Sequence, residues 1–285
     1  MTPASFSRPA SVAEALALLA DPSTTPLAGG TDYFANRVGH LPSGRLVDLS
    51  GVDALRGIRR QVDGSWRIGA ATTWTAVLRA SLPPAFDGLK LAAREVGGVQ
   101  IQNCGTVGGN LCNASPAADG VPPLLALDAL VELASQAPGS GMRMLPLADF
   151  ITGPRRTARR PGELLTAVVV PAAAAQGRSH FAKLGARRYL LISIVMAAAN
   201  VAVDGQGRIS RAAVAVGACS PVARRLPTLE QRLAGMAVGE LARLRIEPGD
   251  LQGLDPIDDI RASGAYRCDA AAELVRRVLQ GSCQS

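Results

Sequence analysis

Two short segments of the chain, "LAGGTD" (27 to 32) and "GTVGGN" (105 to 110), place consecutive glycines beside a threonine hydroxyl. Glycines let successive backbone N–H groups turn toward one point with no Cβ in the way, and such a concavity suits phosphate oxygens. One such pair alone reads better as a plain turn. Two in one domain are suited to clasp the two phosphates of a pyrophosphate from opposite sides. The second lies within "NCGTVGGNLCNASPAAD" (103 to 119), which carries one formal charge, Asp119, and hardly anything larger than leucine. Asn110, Asn113, Ser115 and Asp119 are polar groups in a stretch otherwise fit for burial, and buried polar groups need partners. A bound polar cofactor would supply them. No G-x-G-x-x-G follows a strand and no G-x-x-x-x-G-K-[ST] occurs, so nicotinamide or ATP binding by the folds that use those fingerprints is not expected.

The frame for these segments is ordinary. At 285 residues, 48% hydrophobic and 19% charged, the chain is long enough for a substantial core divided into two or three units. Its longest apolar stretches fall short of the roughly 20 residues that span a bilayer. The start of the chain lacks a basic region followed by a continuous apolar one, so neither a secretory signal nor an anchor is read and the cytoplasm is expected. Five cysteines form no CxxC pair or metal-finger spacing, and both histidines lie far from them, which points to free thiols and no protein-ligated metal. A net charge of +7 invites a nucleic-acid reading. The basic residues are scattered, however ("RRPGE", "GARRY", "ARRLP", "VRRVL"), and aromatics are only 4% of the chain, so solvated faces, an anionic cofactor or an acidic partner fit better.

The elements that position the glycines follow from local signals. Ser11 and Glu14 have capping-box spacing ahead of the apolar run 15 to 19, which predicts a helix. "TPLAGGTD" predicts a short buried strand ending in a glycine turn, and "RLVDLS" (45 to 50) a second strand. "SWRIGAATTWTAVLRA" predicts a strand, a turn with Thr72 and Thr73 as candidate caps, and a helix. Another helix, residues 86 to 96, leads into the glycine-rich stretch. "VPPLLALDALVELAS" predicts a short helix and a strand, residues 153 to 162 a surface loop, and "LLTAVVVP" a buried strand. A domain boundary is placed in the small-residue connection 172 to 179. Beyond it strands, two of them joined through an Asp-Gly turn, alternate with helical segments.

"PLAGGTDYFANR", "RIGAATTWTAV", "VQIQNCGTVGGNLCNASPAADGVPPLLALDALVEL", "PGELLTAVVVP" and "FAKLGARR", in that order, resemble the FAD-binding medium subunit of the molybdenum hydroxylase (xanthine dehydrogenase and carbon monoxide dehydrogenase) family. The resemblance implies an α+β fold: a vanillyl-alcohol-oxidase (PCMH)-type FAD-binding domain over residues 1–175, in subdomains of about 1–55 and 56–175. A C-terminal domain over 176–285 would follow, with a three-stranded antiparallel sheet and a helix bundle. By motif position it implies that Pro26, Leu27, Ala28, Gly29, Gly30, Thr31, Asp32 and Tyr33 form the first pyrophosphate segment, and Ile101, Gly105, Thr106, Gly109, Asn110 and Asn113 the second. Ala118 and Asp119 would reach the ribityl and pyrophosphate region, Leu165 would pack on the flavin ring system, and Lys183 would be a polar contact from the C-terminal domain. Non-covalent FAD is implied, since residues 26 to 35 hold no histidine or cysteine. The implied partners are a large molybdenum-cofactor subunit and a small subunit with two [2Fe-2S] clusters, in a dimer of heterotrimers.

Gln102 stands where the family block usually has arginine, so any ion pair made by that arginine is absent. Cys104 and Cys112 read as small hydrophobes filling tight space. His40 reads as an exposed loop residue, His180 as packing at a domain junction, and Tyr189 equally as an aromatic gate or as surface packing. The arginines of "GPRRTARRPGE" attract an anionic acceptor, dock a partner, or are simply solvated. Two other functions stand beside the family reading. A self-sufficient FAD-dependent oxidase or reductase would need a catalytic set over the flavin, and none is convincing. A flavin-less binding module would make the glycine pairs mere turns.

Overall fold

The computed structural model describes residues 5–37, 42, 44–136, 139, 141–187 and 192–283. Strand β1 (Ser5–Ser7) is followed by helix α1 (Val12–Leu19). The Ser11 hydroxyl caps α1 by accepting the Glu14 N–H at 3.2 Å, while the Glu14 carboxylate reaches back one residue further than a strict capping box, to the Ala10 N–H at 2.9 Å. Ala15, Leu16 and Leu19 fall on one face at helical spacing and are buried. Strand β2 (Thr24–Leu27), helix α2 (Thr31–Ala35) and strand β3 (Arg45–Asp48) complete a small unit in which β3 lies between β1 and β2, parallel to both.

Strands β4 (Ile58–Arg60) and β5 (Trp66–Gly69) open a second unit with helices α3 (Trp74–Arg79), α4 (Asp87–Glu95), α5 (Val99–Cys104), α6 (Val107–Asn113) and α7 (Val121–Ala126). Strands β6 (Leu130–Ala134) and β7 (Met142–Pro146), helix α8 (Leu147–Phe150), the hairpin β8 (Ile151–Gly153) and β9 (Arg156–Thr157), and strand β10 (Leu164–Val170) follow. The main sheet has the order β4-β5-β10-β6-β7, antiparallel throughout. Its middle strand β10 is the apolar run "LLTAVVV", buried almost throughout, which is why it lacks polar alternation. Trp74, Phe86, Leu111, Leu124 and Val168 pack together on this sheet.

Arg143 in β7 grips Glu163 just before β10 with two hydrogen bonds, 2.7 and 2.9 Å, and the Glu163 side chain is 4% exposed. The Arg143 guanidinium holds the Glu163 carboxyl below its ordinary range. Stability from this pair is therefore present above the usual carboxylate range and is lost as pH falls through the depressed value. Arg143→Met is expected to cost about 1–3 kcal/mol at neutral pH, and the gap to wild type should close below about pH 4 in urea titrations.

Strands β11 (Arg178–Leu184), β12 (Val195–Val203) and β13 (Ile209–Gly217) form the expected three-stranded antiparallel sheet, extended by a two-residue strand β14 (Arg224–Arg225). Helices α9 (Pro227–Leu233) and α10 (Gly264–Gly281) cover one face through Leu229, Leu233, Leu274, Val275 and Val278. The other face meets α4 and α7: Ala92, Ala126, Phe181, Met196 and Ala213 make one cluster.

The glycine-rich stretch, for which no helix is expected, and the expected surface loop at residues 153 to 162 both hold regular structure. The glycine-rich stretch is two short helices, α5 and α6, joined by Gly105 and Thr106, and residues 153 to 162 contain strand β9. Glycine's low helix propensity hides a helix whose small residues are needed for close packing: a Cβ on Gly108 would lie 2.7 Å from the Ala70 side chain.

Candidate cofactor site

The chain leaves β2 at Leu27 and turns through Gly29 and Gly30 into α2. Gly30 has φ +67°, a left-handed conformation that glycine adopts without strain. A Cβ on Gly29 would lie 1.9 Å from the carbonyl oxygen of Cys104, so the two glycine segments touch backbone to backbone. The second segment is tied to the main sheet: Val107 N–H donates to the Thr72 carbonyl at 3.0 Å, Gly108 N–H to the Ala70 carbonyl at 2.8 Å, and Trp74 N–H to the Gly105 carbonyl at 3.2 Å. Thr106 caps α6 through its hydroxyl, which accepts the Gly109 N–H at 3.0 Å. Thr106→Ala is expected to cost about 1 kcal/mol in chemical denaturation.

Between the segments lies a cleft of about 370 Å³. All of residues 26 to 33 line it, joined by Ile101, Gly105, Thr106, Gly109, Asn110 and Asn113. The fold thus brings both expected sets to one place. Asn36, Arg37, Trp74, Val96 and Cys112 line it as well and were not foreseen. Arg37, in the turn just past the end of α2, lies over the Tyr33 ring at 3.8 Å, and only the aromatic four residues before it hinted at this. Trp74 had no such hint, because its place in the wall depends on α3 docking against α5.

Ala118, Asp119, Leu165 and Lys183 do not line this cleft. Leu165 lines an adjoining cavity with Arg155, Arg159 and Glu163; that cavity shares Pro26, Ala28, Gly109 and Cys112 with the cleft. Ala118 is buried in the core. Asp119 and Lys183 pair with each other at 2.8 Å, their side chains 10% and 8% exposed, and Ser193 donates to the second carboxylate oxygen at 2.8 Å. Burial pushes the Asp119 carboxyl up, against the pull of Lys183 and Ser193.

The cleft has the marks of a place for a bound polar group. The Asn110 side-chain oxygen is buried and has no hydrogen-bond partner. An acceptor left so costs about 1–3 kcal/mol unless a donor meets it, and a ribose or ribityl hydroxyl or a ring N–H would do so.

Other expectations resolve less simply. Cys104 and Cys112 are exposed rather than buried filler, because their helices turn these side chains away from the core. The protein around Cys112 nevertheless disfavours its thiolate and pushes the thiol up to about 11. His180, in β11, stands between α4 and the end of α10, with Gly281 leaving room for its ring; burial lowers its pKa. His40 and Tyr189 lie outside the described residues. Among the described residues no three metal-ligating side chains cluster, and no helix is long and apolar enough to cross a membrane.

Residues 2–173 match the family model for the FAD binding domain in molybdopterin dehydrogenase, and residues 180–282 that for the CO dehydrogenase flavoprotein C-terminal domain. The chain is 34% identical over 281 residues to the xanthine dehydrogenase FAD-binding subunit of Escherichia coli O157:H7, covering 97% of this chain and 94% of that protein. Two solved structures share its fold with a TM-score of 0.84: carbon monoxide dehydrogenase from Hydrogenophaga pseudoflava (25% identity, 99% of this chain and 97% of that one) and quinoline 2-oxidoreductase from Pseudomonas putida 86 (27%, with the same coverage).

Proposed function

Because this chain belongs to the family of FAD binding domains of molybdopterin dehydrogenases, we propose that it is the flavin-carrying medium subunit of a molybdenum hydroxylase complex. In that role it receives electrons from the [2Fe-2S] clusters of a small partner subunit and passes them to an external acceptor. A large subunit with the molybdenum cofactor oxidises the substrate, and two such heterotrimers pair in the cytoplasm. The observation that carries the reading is the cleft itself, with two glycine segments in backbone contact and an unpartnered acceptor, Asn110, in its wall. The relatives named above match over nearly their whole length and are FAD-binding or oxidoreductase proteins by name, which supports it further.

When bound, FAD supplies the redox chemistry, taking up electrons from one protein and releasing them to another. The chain's own residues hold and shield it. Gly29, Gly30 and Gly105 line the cleft, and lacking a Cβ they pack closely on Cys104, Phe34 and Ile101, so that their backbone would be placed to hold the pyrophosphate. Asn110 would accept a hydroxyl or N–H of the cofactor, Ile101 and Trp74 wall the cleft with apolar surface, and Leu165 lines the adjoining cavity. Asp119, Lys183 and Ser193 form a fixed charged cluster between the start of α7 and β11. Attachment is non-covalent, since residues 26 to 35 contain no linking histidine or cysteine.

The test is the visible spectrum of the purified chain, followed by acid precipitation. Near-stoichiometric FAD in the supernatant, with reduction of the flavin by substrate only when the partner subunits are present, is the expected result. No flavin after incubation with excess FAD overturns the reading. Flavin reduced by substrate in the isolated chain favours a self-sufficient oxidase or reductase instead.

A further inference from the structure

Across the mouth of the cleft, three segments remote in sequence meet. Asp32 opens α2, Asn113 closes α6, and Arg155 sits in the turn between β8 and β9. The Asn113 side-chain N–H donates to Asp32 at 2.7 Å. Arg155 donates to the side-chain oxygen of the same asparagine and lies 4.0 Å from the Asp32 carboxylate. Its backbone N–H donates to the Ala114 carbonyl at 2.8 Å. Both residues of that backbone contact are left-handed without being glycine, Ala114 at φ +46° and Arg155 at φ +58°. Non-glycine residues hold such angles only where the surroundings over-determine them, and this cost concentrates at ligand clamps.

The electrostatics give the bridge a purpose. Asp32 is the acidic residue of the first glycine segment and lines the cleft, so a pyrophosphate held there faces a third negative charge. Arg155 is a cation facing that carboxylate, 4.0 Å away.

We propose that Arg155 is a positioning residue for the cofactor: it neutralises Asp32 and fixes Asn113, so that the two glycine segments present a cleft tolerant of two phosphate charges. It acts through these two side chains. The inference rests on the FAD reading above.

The experiment is titration of the flavin-stripped full-length chain with FAD, followed by the change in flavin fluorescence. Wild type, Arg155→Met, Arg155→Lys, Asp32→Asn and the double variant R155M/D32N are compared at low and high salt. Arg155→Met is expected to weaken binding about tenfold or more at low salt and less at high salt, because added ions screen the exposed carboxylate. Asp32→Asn keeps the acceptor oxygen and removes the charge, so in the Arg155→Met background it should recover most of the loss; Arg155→Lys should recover part of it. Melting of the flavin-free variants should stay close to wild type, as expected for a bridge whose ionic side chains are half exposed. Arg155→Met binding FAD as tightly as wild type overturns the proposal. So does a loss that Asp32→Asn leaves untouched, since Arg155 would then contact the cofactor itself or act on folding alone. A wild-type chain that binds no FAD instead removes the underlying reading.

Discussion

Gly29→Ala is expected to empty the cleft of flavin and to destabilise the fold. The added Cβ would sit 1.9 Å from the Cys104 carbonyl oxygen and 2.6 Å from its carbon, and neither is the movable end of a side chain. Backbone must move, and the piece that moves joins α5 to α6, whose far end is tied to Ala70 and Thr72. Overpacking of this kind costs about 1–3 kcal/mol, and here it also widens the gap between the two segments that are to hold the pyrophosphate. The affinity for FAD should fall at least about tenfold, seen as a lower flavin-to-protein ratio after purification, since a loss of about 1.4 kcal/mol is tenfold in affinity. Gly239→Ala is the matched control: nothing lies within 4 Å of the point a Cβ would occupy there, and stability should shift by no more than about 0.5 kcal/mol. Equal flavin content in the two variants would refute the role of close approach at Gly29.

Lys183→Met is expected to be the most costly single change for stability. It leaves Asp119 buried without its cation, and breaking one side of a buried pair costs about 3–5 kcal/mol. The pH dependence follows from the direction of the shift. Burial already holds the Asp119 carboxyl above its ordinary range, and losing Lys183 raises it further. A raised carboxyl contributes stability that is fully present below the unfolded value and is lost as pH rises through the folded one. The variant should therefore be closest to wild type near about pH 4 and furthest from it at neutral pH. Adding Asp119→Asn should recover much of the loss at neutral pH, because a neutral amide need not be ionised in the interior. A cost of Lys183→Met that stays constant from acid to neutral pH in denaturant titrations would show that the pair contributes through packing alone. Measured without flavin, this result also stands apart from any contact Lys183 makes to the cofactor.

Much of the architecture was legible in the chain because its signals are local. Ser11 marks a helix start, Thr73 caps the helix that follows, and "LLTAVVV" declares a buried strand. The ordered blocks around the glycines pointed to the FAD-binding family before any fold was seen, and the two glycine segments announced one site through a property of single residues, the lack of a Cβ. What the sequence could not determine is which side chains meet. Asp119 and Lys183 are 64 residues apart and Asn113 and Asp32 are 81 apart. Nothing in their local sequence distinguishes a cofactor contact from an internal pair. The arginines of residues 153 to 162 looked alike as letters, yet only the turn between β8 and β9 carries Arg155 to the cleft mouth, while the helices that flank Gly105 hid behind a composition typical of loops. Conformational preference and hydrophobic pattern act over a few residues and can be read along the chain; ion pairing, burial and close backbone approach depend on distances that exist only once the sheets and helices have packed.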